Sequence, residues 1–128
     1  MSDYTIKNLS DTPDSAPKFG FGELGEAHFP REELGATATG LAYHVLNPGK
    51  RNAFGHRHEK AEEIYVVIGG GGRVRLDDEV LEIARLDAVR VAPQVTRAFE
   101  AGPEGLQVLV FGVHHDKDGE LLPDFWSE

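Results

Sequence analysis

Cysteine is absent from this 128-residue chain, which excludes disulfides and thiol chemistry alike. Basic residues are scarce too: 13 Lys and Arg stand against 22 Asp and Glu, a net charge of −9. Phosphate backbones demand concentrated Lys and Arg, so no nucleic-acid partner is expected. No apolar run approaches the ~20 residues that cross a bilayer. The opening Met1-Ser2-Asp3-Tyr4-Thr5-Ile6-Lys7-Asn8-Leu9-Ser10 lacks the basic start and apolar stretch of a signal peptide. A cytoplasmic protein without membrane contact is the simplest expectation. Long helical patterns are missing as well, whereas fifteen glycines and seven prolines point to many turns and short strands. Hydrophobic residues at 40% and charged residues at 27% fit one folded domain large enough to bury a core unaided.

Read in order, residues 1–25 are polar, broken by Pro13, Pro17, Gly20, Gly22 and Gly25, with Phe19 and Phe21 as apolar anchors. They predict an arm lying on a surface, either adding an edge strand to this chain or a neighbour or forming a disordered leader. Pro30 to Gly35 has the proline, early acids and closing glycine of a single helical turn. From Leu41 the pattern turns to strands: Leu41–Asn47, Phe54–His58, Glu63–Ile68, Arg73–Leu76, Val80–Ala84, Ala88–Ala92, Arg97–Ala101 and Leu106–Val113. Turns are expected at Pro48-Gly49, at the four glycines 69–72, at Asp77-Asp78 and at Gly102-Pro103-Glu104-Gly105. The glycine run lacks the Lys-Ser/Thr and helix of a phosphate loop. Strands at this spacing predict an all-β antiparallel sandwich or barrel over 41–113, preceded by an arm over 1–40 and followed by a tail over 114–128. The tail residues Leu121, Leu122, Phe125 and Trp126 are expected to pack outside the barrel or on a partner subunit.

Chemistry concentrates in His56-Arg57-His58-Glu59-Lys60-Ala61-Glu62-Glu63. Two histidines one residue apart share a face of a strand. Glu63, five residues beyond His58 at the start of the next strand, can return across a tight turn to face them. Two imidazoles and a carboxylate converging in this way form a three-ligand site for a divalent metal such as Fe, Mn, Ni or Zn. The bland alternative is a chance His-x-His on a solvated strand. If Glu63 faces inward, Tyr65 and Val67 do so too, while Ile64, Val66 and Ile68 face the far side of the sheet. Both faces are then apolar, and since no long helix is available to cover the second, a homodimer is expected. Tyr65 is a candidate ligand contact or a core residue. His44, between Ala42 and Leu46 on one strand face, reads as a core histidine, a ligand or substrate contact, or a proton carrier. His28, His114 and His115 read as surface residues.

The offsets His56, His58, Glu63 and Gly70 reproduce the His-x-His-x4-Glu-x6-Gly part of the first motif of the cupin superfamily, and the chain resembles that family over residues 41–113. The resemblance implies a double-stranded β-helix, a jelly-roll-like antiparallel barrel, and His56, His58 and Glu63 as metal ligands. Small cupins often pair sheet against sheet. Gly49 lies one residue further from His56 than the motif's opening glycine. The second motif is degenerate: Pro93 fits, Leu86 or Asp87 replaces its first glycine, Gln94 its second, and Arg97 stands where the fourth ligand is expected.

Arginine carries only donors and cannot ligate a metal. Three arrangements follow. Arg97 clamps an anionic ligand beside a three-ligand metal, it pairs with Glu63 in place of the metal, or it points outward. If it crowds Glu63 alongside a metal, the positive centres repel at about 4 kcal/mol per pair of unit charges at ~4 Å with an effective dielectric of ~20. Three functions are therefore compatible with the chain: a metal-dependent enzyme on a small, anionic molecule, a non-catalytic small-molecule binder, and an interaction protein whose barrel has lost its chemistry. The reaction does not follow from the fold.

Overall fold

The computed structural model describes residues 3–115 and 118–126. Among the described residues eight strands carry the fold: β1 (Gly25–His28), β2 (Thr39–Leu46), β3 (Gly55–His58), β4 (Glu63–Leu76), β5 (Glu79–Ala84), β6 (Ala88–Val91), β7 (Arg97–Val113) and β8 (Gly119–Leu122). One short helix, α1 (Arg31–Leu34), lies between β1 and β2 and ends at Gly35, in the left-handed conformation with φ 71°. It is the single turn expected from Pro30 to Gly35. Among the described residues no helix is long and apolar enough to cross a membrane.

Two strands organise the others. β4 and β7 pair antiparallel from Glu63↔Gly112 through to Leu76↔Arg97. Their outer halves belong to different layers. Glu63–Val67 and Val108–Gly112 sit in a sheet with β6, β2 and β1. Gly72–Leu76 and Arg97–Ala101 sit in a second layer with β5, β3 and, beyond it, β8.

The glycines 69–72 and the segment Gly102–Gly105 are therefore not turns between separate strands. They lie inside β4 and β7, where the pair bends from one layer to the other and the ladder shifts register twice, between Val67 and Gly69 and between Gly70 and Gly72. Such a corner needs backbone against backbone. Gly70 adopts φ 65°, and a Cβ there would collide with the carbonyl of Gly105. Gly72 has no room for one against the carbonyl of Glu100. Glycine signals a turn in sequence because it frees the backbone, and here the same freedom serves a corner that keeps its ladder.

Between the layers lies the core: Leu46, Tyr65, Val67, Val74, Ile83, Val91, Phe99, Ala101, Leu106, Val108 and Val110. Tyr65 and Phe99, from opposite layers, meet with ring centroids 4.9 Å apart. Along β4 the alternation runs as expected, with Tyr65 and Val67 buried and Ile64 40% exposed. The outer face of the first layer presents Leu41, Phe111 and Ile64 in one cross-strand row and Tyr43, Leu109 and Val66 in the next.

The arm folds onto this barrel. β1 adds to the edge of β2 in the same chain, and Asp14 bridges to His28. His28, expected at the surface, is 2% exposed. Its Nδ1 lies 3.0 Å from the carbonyl of Thr12 and its Nε2 lies 2.8 Å from Glu26 Oε1, while its ring stacks on Tyr43. No local pattern announces that burial, because the arm supplying the cover is polar. The tail docks too: β8 pairs with β3, Phe125 lies under the Arg75 guanidinium, and Trp126 lies under that of Arg51.

The corner can be tested with a pair of variants. Gly49 shares the left-handed conformation, with φ 73°, yet nothing lies within 4 Å of a Cβ built on it. In urea denaturation Gly49→Ala is expected to cost about 1 kcal/mol, the backbone term alone. Gly70→Ala should cost about 3 kcal/mol or more because close approach is added; equal losses would remove the corner argument.

Candidate metal centre

β3 and β4 bring the two halves of the His-x-His…Glu pattern together across the mouth of the barrel. His56 and His58 project from the same side of β3, their rings 5.3 Å apart and nearly perpendicular. Glu63, first residue of β4, enters from the other layer. Its Oε1 is 3.3 Å from His58 Nε2 and 3.7 Å from His56 Nε2. One ligand atom from each of the three lies within 4.8 Å of the others. A cation held about 2.1 Å from each donor would space them about 3.0–3.4 Å apart, so the donor set fits a divalent ion after small adjustments. His58 supports that fit, since neither of its buried ring nitrogens has an aligned hydrogen-bond partner.

Electrostatics prepare Glu63 as an anion. Burial works to raise its pKa, but interactions with His56, His58 and the Tyr65 hydroxyl outweigh it and hold the carboxyl well below the usual range. Tyr65 donates to Glu63 Oε1 at 2.5 Å and lies 3.3 Å from His56 Nε2. Its own pKa is pushed well above 10.0, first by burial and then by the charge of Glu63, with Arg97 opposing. It therefore remains a phenol, able to donate but not to ligate as phenolate.

Arg97 opens β7 opposite His56 in the ladder. It is fully buried, at 0% exposure, which rules out the outward-pointing arrangement. Pairing with Glu63 is also not what the structure shows: among the described residues Arg97 has no carboxylate within 4.0 Å. One nitrogen, Nη2, donates to the carbonyl of Ala92 at 3.2 Å, while Nε and Nη1 have no hydrogen-bond partner. Glu63 is already satisfied by Tyr65 and flanked by the histidines, so the guanidinium is spared for something else.

His44 lies on the inner side of β2, where the Phe29 ring meets it edge-on. Burial and then the field of His56 lower its pKa from 6.5 to about 4, against a smaller opposing effect of Glu63. It is thus a neutral imidazole near the site and stands outside the three-donor group. His114 and His115 are exposed at the end of β7. Sequence reasoning missed Asp118, whose carboxylate Oδ2 approaches His58 Nδ1 at 3.3 Å. Sixty residues of separation leave no spacing signal for it.

No protein-family model matches this sequence, and no curated protein is significantly similar to it. Solved structures do resemble it. A cupin protein from Bacteroides fragilis superposes with a TM-score of 0.72 at 22% identity, over 91% of this chain and 89% of its own. The polyketide cyclase RemF from Streptomyces resistomycificus superposes with a TM-score of 0.76 at 17% identity, over 97% and 87%. Oxalate decarboxylase from Lactobacillus farciminis superposes with a TM-score of 0.72 at 22% identity, over 95% of this chain but only 38% of that enzyme. At these identities the likeness concerns architecture, and it agrees with the two-layer topology. The chain has the cupin fold, a double-stranded β-helix.

The half-buried His44, held neutral, has a consequence for stability. Unfolded, it takes up a proton near pH 6.5; folded, only near 4. The unfolded state therefore binds more protons between these values, and stability falls as pH drops from 6.5 towards 4, by at most about 3 kcal/mol. In metal-free protein, His44→Gln should flatten the dependence of Tm on pH over that interval; an unchanged slope would assign the acid sensitivity elsewhere.

Proposed function

We propose that this protein is a metal-dependent cupin that acts on a small anionic molecule, with His56, His58 and Glu63 holding the ion and Arg97 taking the anion. The observation that carries the reading is the division of labour between two charged groups. Glu63 is already engaged with Tyr65 and the histidines, whereas the buried Arg97 retains two guanidinium nitrogens, Nε and Nη1, without a partner. A buried guanidinium left so is costly unless a further acceptor completes it. A carboxylate or phosphate matches its planar fork.

A bound divalent ion would act as a Lewis acid or, if iron, support oxygen chemistry. The chain's own residues would do the remainder. Tyr65 orients Glu63 and offers a hydroxyl at the site, Arg97 orients the anion, and the apolar core behind Tyr65 and Phe99 limits access of water. Three protein donors leave coordination positions open, which favours substrate binding over a closed structural ion. Oxalate decarboxylase and polyketide cyclase among the structural neighbours are consistent with chemistry on this fold, but do not select the reaction. We also propose a homodimer through the outer face of the first layer, where Ile64 and Phe111, opposite each other in the ladder, are 40% and 39% exposed.

Elemental analysis of protein purified without chelator tests the metal. Near-stoichiometric ion is expected in the wild type, and His56→Ala or His58→Ala should weaken binding by more than about 100-fold, since even outer partners of ligands are worth about 10–100-fold. Metal content unchanged in both variants would overturn the assignment. For the anion, Arg97→Met keeps side-chain volume, and an apolar replacement of a buried charge is usually tolerated. This variant is expected to keep the metal while losing calorimetric binding of small carboxylates or inorganic phosphate by about 10-fold or more; equal binding in both proteins would remove Arg97 from the site.

A further inference from the structure

The tail reaches the metal centre through one carboxylate. Asp118, immediately before β8, accepts backbone hydrogen bonds from the first three of the four residues that link His58 to β4. Its Oδ1 takes Glu59 N at 3.1 Å and Lys60 N at 2.8 Å, and its Oδ2 takes Ala61 N at 3.0 Å. The same Oδ2 lies 3.3 Å from His58 Nδ1, on the side of the ring away from Glu63, a charge contact rather than an aligned hydrogen bond. The Asp118 side chain is only 5% exposed. A carboxylate whose two oxygens already accept three N–H groups faces Nδ1, and an acceptor beside one ring nitrogen favours a proton there.

That placement is itself well fastened. β8 pairs with β3 at Gly55↔Leu122 through His58↔Gly119, so the strand carrying both histidines is sandwiched between β7 and the tail. Arg57 donates twice to Glu120. At the far end Arg75 stacks on Phe125 and also donates to its carbonyl, while Gly55 has no room for a Cβ beneath the Phe125 ring.

We propose that Asp118 is a positioning residue for the candidate metal centre: it holds the proton of His58 on Nδ1, so that the Nε2 lone pair faces Glu63, and it couples the donor set to the docking of the C-terminal segment. The metal part rests on the reading given above. The tautomer part does not, because it concerns the metal-free chain.

Long-range 15N correlation spectra of the imidazoles, recorded on the full metal-free protein at neutral pH, separate the two. The wild type is expected to show His58 protonated at Nδ1. Asp118→Asn retains an oxygen for Glu59 and Lys60 and turns an NH2 group towards the ring, so His58 should switch to the Nε2-protonated form. Asp118→Ala should give a mixture. Cobalt(II) titration followed by its d–d absorption should then show at least about 10-fold weaker binding in both variants. The same His58 tautomer in all three proteins would overturn the proposal whatever the cobalt result. A tautomer switch with equal cobalt affinity would overturn the coupling to the metal. A switch in proteins that take up no cobalt, wild type included, would leave the positioning role standing and sink the metal reading instead. Asn and Ala variants differ in what they remove from the turn, so failure of the Ala protein to fold leaves the Asn protein decisive.

Discussion

The full-length pairing of β4 with β7 is the constraint on which the rest of this molecule depends. Each strand is shared by two layers, so bending at the glycine corner sets the angle between them and closes the core. Because Glu63 begins β4 and Arg97 begins β7, the same pairing fixes the acid and the buried guanidinium in different layers. Their separation allows both charges to persist without cancelling. A direct ion pair would have neutralised each and left neither for a metal or an anion.

Around that frame the polar groups form a graded series. Asp118 touches His58, His58 faces Glu63, and Glu63 accepts from Tyr65. Tyr65 then packs on Phe99 in the core. Three elements position the members: the tail carries Asp118, β3 carries His58, and β4 carries both Glu63 and Tyr65. A site assembled from segments so far apart in the chain has little freedom to drift, since moving one donor requires moving a strand. This rigidity is what the proposed metal centre would need, and the tail adds to it through two arginine–aromatic contacts and a strand pairing.

Much of the donor set was legible in the chain. His-x-His places two rings on one side of any strand, and a carboxylate across a short turn can meet them. Alternation from Glu63 likewise named Tyr65 and Val67 as inward. The strand boundaries were harder at the glycines: a local signal for backbone freedom does not say whether the chain reverses or bends, and only the partner strand β7 makes 69–72 a corner. The burial of His28 was invisible for a related reason, because its cover is the polar segment around Thr12 and its ring rests on Tyr43.

The sequence by itself determined the all-β class and the spacing of His56, His58 and Glu63, since these depend on period and residue chemistry alone; it was the resemblance that set Arg97 where a fourth ligand was expected. Tertiary structure decided where Arg97 directs its charge, how closely Glu63 approaches the two histidines, and that Asp118 stands behind His58. Those outcomes depend on which strands lie side by side. The contact of Asp118 with His58, sixty positions apart, and the register of Arg97 opposite His56 arise from closing the barrel, and no local pattern encodes them.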